Sequence, residues 1–239
     1  VTTEATSGTP FGAYQIIKEI GKGGMGQVYL ARHSHLDRDA ALKVLPAAIA
    51  QDGNFVQRFM QEARLAARLN HPNIVQVYDF GIFEGRYYIA MEYVDGPSIG
   101  ALLRHWGFFP QDQALMLMRQ ACVALSAAHG AGLVHRDLKP DNFMITKQWQ
   151  LKLVDLGLAK KLDEDLFLTA TGFSAGTPHY ISPEQIEGRR DVDARADIYS
   201  LGGTMFHMLT GQPPFAGSAS GKVMSLHLQA ERPDPRALR

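Results

Sequence analysis

The chain has 239 residues, 46% hydrophobic and 20% charged, which suits a globular protein with one large domain or two lobes and excludes a disordered chain. Twenty-four Lys and Arg residues balance 24 Asp and Glu residues, so no net charge is available to hold nucleic acid or an anionic lipid surface. Electrostatic work must therefore be local. The single cysteine, Cys122, rules out an internal disulfide, and its place among Ala121, Leu125 and Ala128 predicts a small core residue. The apolar-looking stretch 114–134 is interrupted by Arg119, Gln120 and His129, so it reads as a buried helix rather than a membrane span. Residues 1–10 are small and polar, without the apolar core of a signal peptide; they read as a flexible leader, and a cytoplasmic location is expected.

In chain order, β-forming residues predict strands over 11–20, 28–31 and 40–45. A helix is predicted over 52–69, then strands over 74–80 and 87–93. After Gly96 the character changes, with helices predicted over 98–104, 111–129, 193–209 and 217–229. Sheet in front and helix behind imply an α+β arrangement of two lobes joined near 92–96.

Three motifs carry chemistry. Gly21-Lys22-Gly23-Gly24-Met25-Gly26-Gln27-Val28 spaces its glycines so that backbone N–H groups can approach phosphate oxygens. A β-prone segment follows, whereas a dinucleotide-binding turn would open a helix, so the glycines are placed between antiparallel strands. Next, Phe55, Phe59, Glu62, Ala66 and Leu69 recur at steps of four and three on one helix face, which turns a carboxylate inward. A buried carboxylate needs a partner, and Lys43 on its apolar strand is the best one; the paired ammonium suits nucleotide phosphates. The third motif is His135-Arg136-Asp137-Leu138-Lys139-Pro140-Asp141-Asn142, followed by Asp155-Leu156-Gly157. Asp137 is the candidate to take a proton from an acceptor hydroxyl, and Lys139 to neutralise a transferring phosphate. Asn142 and Asp155 offer the oxygen ligands that Mg²⁺ prefers. Elsewhere, His33-Ser34-His35 lacks the company of a metal site and reads as a polar turn, and Met116 and Met118 as helix packing.

Over about residues 11–230 these motifs resemble the protein kinase superfamily, in its bacterial, eukaryotic-like serine/threonine branch. The resemblance implies an α+β, two-lobed protein kinase fold: an N-lobe (11–94) of antiparallel sheet plus one helix, and a mostly helical C-lobe (95–239) lacking its last helices. It implies ATP binding by Ile20, Gly21, Gly23, Gly26, Val28, Ala41, Lys43, Glu62, Met91, Glu92, Val94 and Met144. Within that set Met91 would be the gatekeeper, Glu92 and Val94 would bond adenine through their backbones, and Val28, Ala41 and Met144 would sandwich the ring. Mg²⁺, with Mn²⁺ as a substitute, would be held by Asn142 and Asp155, and catalysis would fall to Asp137, Lys139 and Asn142. Gly176-Thr177-Pro178-His179-Tyr180 and Ser182-Pro183-Glu184 resemble the peptide platform of serine/threonine kinases, with Thr177 as a contact of the catalytic loop. Asp197 resembles the residue that braces that loop's backbone. Thr169 and Thr171 are the implied autophosphorylation sites, and Arg136 and Lys160 their phosphate partners, which brings in protein substrates and a transient kinase–kinase dimer.

Some positions depart from the family pattern. Leu156 stands where phenylalanine is usual and Ser182 where alanine is usual, and neither exchange removes chemistry. The arginine that pairs with the residue matching Glu184 is missing, because Arg232, Arg236 and Arg239 come too early. That departure keeps a pseudokinase, a nucleotide-binding scaffold of the same fold, as the alternative reading. Relatives commonly continue into a linker, a membrane helix and a sensor, so the full-length protein is expected to extend beyond this segment.

Overall fold

The computed structural model describes residues 8–23, 26–45, 53–156 and 178–238, without the side chains at 23, 54, 55, 58, 59 and 62. The expectations for Gly157, Lys160, Thr169, Thr171, Gly176 and Thr177, and for the Glu62 side chain, lie outside the described residues. Two compact units divide the chain, one of residues 1–70 and 75–94, the other of 71–74 and 95–239.

The first unit holds a six-stranded antiparallel sheet in the order β1-β2-β3-β4-β6-β5. Its strands are β1 (Pro10–Phe11), β2 (Tyr14–Gly23), β3 (Gly26–His33), β4 (Arg38–Val44), β5 (Val77–Phe83) and β6 (Arg86–Glu92). Alternation sorts the side chains. One face buries Tyr29, Ala31, Ala40, Leu42, Val44, Tyr88 and Ala90 in a cluster completed by Phe11, Tyr14 and Ile16. Aromatic edges lock it: Phe11 meets Phe83 at 4.9 Å and Tyr88 at 5.6 Å between ring centroids. Tyr88 donates its hydroxyl to Asp79 at 3.0 Å, and burial together with that carboxylate pushes the phenol up to about 12.

Residues 8–10 are tied down rather than loose, since Gly8 N–H donates to the Ile16 carbonyl at 2.8 Å and Pro10 pairs with Gln15. The expected single strand over 11–20 is broken by a turn at Gly12, whose φ is +60°. His33 closes the β3–β4 turn through Nδ1, which accepts from the N–H groups of His35 and Leu36 at 3.2 Å, so the histidine pair is a polar turn. Helix α1 (Gly53–Arg68) buries Val56, Ala63 and Ala66, while Leu69 falls just past its end.

The second unit contains α2 (Ile99–Trp106), α3 (Gln111–Gly130), a 3-10 turn at Pro140–Asn142, β7 (Phe143–Ile145), β8 (Leu151–Leu153), α4 (Pro183–Ile186), α5 (Ala194–Thr210), α6 (Ser220–Gln229) and a last 3-10 turn at Pro235–Ala237. The β7–β8 hairpin was not expected from the sequence. The predicted strand over 74–80 starts only at Val77, because residues 71–74 belong with the second unit. There Ile74 bridges Leu153, and the buried Asn73 donates to the Leu151 carbonyl at 2.9 Å and to Gln120 at 3.0 Å. Gly96 lies where any Cβ would overlap the Ile145 carbonyl oxygen, which explains glycine at that close approach.

Helix α3 buries Ala114, Leu117, Met118, Ala121, Ala124, Leu125 and Ala128. Cys122 is exposed, a correction to the expected core role, because it lies one position round from the Ala121–Leu125–Ala128 row. Met118 packs in the core as expected, whereas Met116 is exposed for the same reason. Among the described residues no helix is long and apolar enough to cross a membrane.

Among the described residues, helix α5 carries the one carboxylate with no solvent exposure, Asp197. Its Oδ2 accepts from the His135 N–H at 2.8 Å and from His129 Nε2 at 2.7 Å, and its Oδ1 accepts from the Arg136 N–H at 2.8 Å. Asp197→Ala removes the acceptor for three donors in a dry place and is expected to cost about 3–5 kcal/mol, read as a lowered denaturant midpoint. Two residues further along α5, the Tyr199 hydroxyl lies 2.7 Å from Nδ1 of His227, a fully buried residue of α6. Burial, aided by the Arg232 cation, pushes its pKa down to about 4. Between that value and the ordinary 6.5 the unfolded chain binds the proton more readily, so stability must fall as pH falls through this window. The melting temperature is expected to drop on acidification from pH 6.5 to 4, and His227→Phe to flatten that slope.

Candidate active site

In the first unit the strand registers gather the glycine and lysine candidates on one sheet face. Gly21 pairs with Val28, Val28 with Lys43, Lys43 with Ile89, and Ala41 with Met91. Cross-strand partners share a face, and so do residues two apart, so Val28, Ala41, Lys43 and Met91 all lie opposite the aromatic cluster. Lys43 is only 6% exposed and Met91 7%, so this face is covered too. Gly26 takes φ +116°, a conformation that strains any L side chain, where β2 returns into β3. Ile20 is exposed near the end of β2, and a register shift between Glu19 and Gly21 changes the alternation there. Glu92 ends β6 with its N–H donated to the Gln76 carbonyl at 2.8 Å, and Val94, buried, follows it.

In the second unit the segment after α3 brings four candidates together. Lys139 Nζ donates to Asp137 Oδ2 at 2.8 Å. Burial pulls the Lys139 pKa down, but the carboxylates of Asp137, Asp155 and Asp141 outweigh it and raise it overall, so the side chain is an ammonium at neutral pH. Buried Asn142 donates Nδ2 to the Asp137 carbonyl at 2.6 Å, which turns its Oδ1, a hard acceptor, the other way. The Val154 N–H donates to the Asn142 carbonyl at 3.0 Å and thereby brings Asp155 beside that loop. Asp155 takes φ +58° and Arg136 φ +63°, left-handed values that non-glycine residues hold only when surroundings over-determine them.

The surroundings here are explicit. His135 is buried; its Nδ1 accepts the Asp137 N–H at 3.3 Å and its Nε2 faces the Val154 carbonyl at 2.9 Å. Nε2 therefore carries the proton, and the neutral ring links the Asp137 segment to the Asp155 segment. With the Asp197 carboxylate on the N–H groups of 135 and 136, the backbone leading into Asp137 is held from two sides. Asn142 and Asp155 are the residues suited to a hard divalent cation, since they present amide and carboxylate oxygens, and a cation that keeps waters and substrate oxygens needs no third protein ligand. Among the described residues no cluster of three His, Cys, Asp or Glu could hold a metal. Met144 lies on β7, paired with Lys152 and bridged to Ser98.

Glu184 sits on α4, and among the described residues it has no ion-pair partner. Arg232 is engaged elsewhere, donating to the carbonyls of His227 and Ala230 at 2.8 Å and lying over the rings of Tyr199 and Phe215. Arg236 pairs with Asp234. Two partners of the site were not anticipated. His129 bonds Asp197, and Gln185 donates Nε2 to the Arg136 carbonyl at 2.8 Å. The spacing Ser182-x-x-Gln185 before a short helix is a legible capping signal, but nothing in it announces the second bond.

A family profile described as "Protein kinase domain" matches residues 14–233. The serine/threonine-protein kinase PknB of Mycobacterium leprae is 43% identical over 230 residues, covering 95% of this chain and 37% of that protein. PrkC of Bacillus subtilis, also a serine/threonine-protein kinase, is 41% identical over 225 residues, covering 94% of this chain and 34% of that protein. The chain thus spans little more than a third of these relatives. The crystal structure of the Mycobacterium tuberculosis PknI kinase domain superposes with a TM-score of 0.78 at 35% identity, covering 98% of this chain and 84% of that one. The curled antiparallel sheet, the helical second unit and a profile match over most of its length establish that the chain belongs to the protein kinase domain family.

Proposed function

We propose that this chain is the catalytic domain of an ATP-dependent serine/threonine protein kinase, which moves the γ-phosphoryl group of ATP to Ser and Thr hydroxyls of proteins. The observation that carries the reading is the Asp137–Lys139 pair at 2.8 Å, set on a backbone clamped by a buried carboxylate. Asp137 accepts the proton of the attacking hydroxyl and orients its oxygen, and Lys139 meets the negative charge of the transferring phosphoryl oxygens. Asn142 and Asp155 would hold a divalent cation, Mg²⁺ or Mn²⁺, which would supply charge neutralisation on the triphosphate. In the first unit, Lys43 binds the α- and β-phosphates and Glu62 holds it, while the backbone at Gly21, Gly23 and Gly26 approaches the phosphates. Val28, Ala41 and Met144 contact the adenine ring, and Ile20 and Met91 bound it. The Glu92 N–H is taken by Gln76, so the adenine contact there falls to its carbonyl, with Val94 supplying the other backbone bond.

The protein partners are substrates bearing Ser or Thr, bound at the platform that includes Thr177 and Glu184. A transient encounter of two kinase domains phosphorylates Thr169 and Thr171, and the Arg136 guanidinium is suited to receive the phosphate. A cytoplasmic catalytic domain joined to a membrane anchor in the full-length protein fits the relatives' greater length.

Transfer of labelled phosphate from ATP to a generic protein substrate tests the proposal. Asp137→Asn is expected to lower the rate on the order of 10²–10⁴-fold with the fold intact; rates equal to the native chain would discredit the base. After incubation with Mg-ATP, peptide mass spectrometry is expected to find phosphate on Thr169 and Thr171. An active preparation with neither modified would refute that assignment.

A further inference from the structure

Gln185 stands outside the residues assigned so far, yet it touches the segment that holds Asp137. It is the third residue of α4, whose N-cap is the fully buried Ser182. Its Oε1 accepts from the Ser182 N–H at 3.3 Å and from the Ser182 hydroxyl at 3.0 Å, and its Nε2 donates to the Arg136 carbonyl at 2.8 Å. Chemistry fixes this amide orientation: a backbone N–H can only donate and a carbonyl can only accept. The Arg136 carbonyl belongs to the same peptide plane as the Asp137 N–H, which is bonded to His135 Nδ1. That plane is therefore held at both ends, by Gln185 on its oxygen and by His135 on its hydrogen. It follows directly on Arg136, whose left-handed φ of +63° leaves the peptide a natural point of rotation.

We infer that Gln185 is a positioning residue for phosphoryl transfer: its amide N–H fixes the Arg136–Asp137 peptide and so aims the Asp137 carboxylate. The inference rests on the kinase reading above and adds a physical link to it. Since Ser182 and Glu184 belong to the proposed peptide platform and Gln185 follows them on α4, the same amide ties that platform to the base. Gln185 touches neither nucleotide nor acceptor, so its loss is expected to act on kcat and leave the KM for ATP unchanged.

Gln185→Glu is the discriminating substitution. It is isosteric, one oxygen still accepts from Ser182, and the other, as a carboxylate, faces the Arg136 carbonyl with no proton to offer. Gln185→Met removes donor and acceptor together. At pH 8 both variants are expected to lose about 10- to 100-fold in kcat, the equivalent of one buried hydrogen bond. As pH falls toward 5.5 the Glu variant protonates, regains a donor and recovers relative to the native chain, whereas the Met variant does not. A Met variant with native kcat, or a Glu deficit that ignores pH, overturns the inference. If the native chain itself transfers no phosphate, the kinase reading fails instead. The positioning claim is then decided by hydrogen exchange at the Asp137 amide, which Gln185→Met is expected to speed about tenfold or more; unchanged protection would overturn it.

Discussion

The buried carboxylate of Asp197 organises the candidate site of the second unit. Removing a charged group from water is expensive, and Asp197 has no exposed surface, so the fold must return that energy through its contacts. It does so with two backbone N–H groups and one imidazole N–H, all within 2.8 Å. Those donors belong to α3 and to the loop that follows it, so the contact cannot form until α3, α5 and the loop are packed together. The same three bonds hold Arg136 in its left-handed conformation, which in turn presents Asp137, Lys139 and Asn142. Rigid placement suits phosphoryl transfer, where positioning and charge neutralisation carry nearly all of the chemistry.

The first unit solves a different problem with the period of a β-strand. One face is filled by aromatic rings and small aliphatic residues, so the alternate residues of the same strands must point the other way. The candidates for nucleotide contact are those alternate residues. Lys43 is buried among them, and an ammonium there is tolerable only with anionic company.

The family was legible in the sequence because each motif is local: a glycine run, one strand lysine, and a loop with Asp137, Lys139 and Asn142 within six residues. The long helices were legible too, since 98–104, 111–129 and 193–209 each overlap a helix of the structure. What escaped was non-local or short. The β7–β8 strands have three residues each, too few for periodicity to register. Ile74 looked like the start of a strand, but Asn73 and its bonds to Leu151 and Gln120 assign that segment to the other unit. Cys122 was misplaced by one helical position, an angle that decides between core and surface. His129 and Gln185 each find their decisive partner far along the chain, at Asp197 and Arg136, and no spacing rule encodes those bonds.

Native-state hydrogen exchange at the backbone amides of His135 and Arg136 tests the organising role of Asp197 most directly. Both N–H groups should exchange only through global unfolding, with protection comparable to the centre of α5, and Asp197→Asn should release them selectively. Exchange of these two amides at the rate of an exposed loop in the native protein would contradict it.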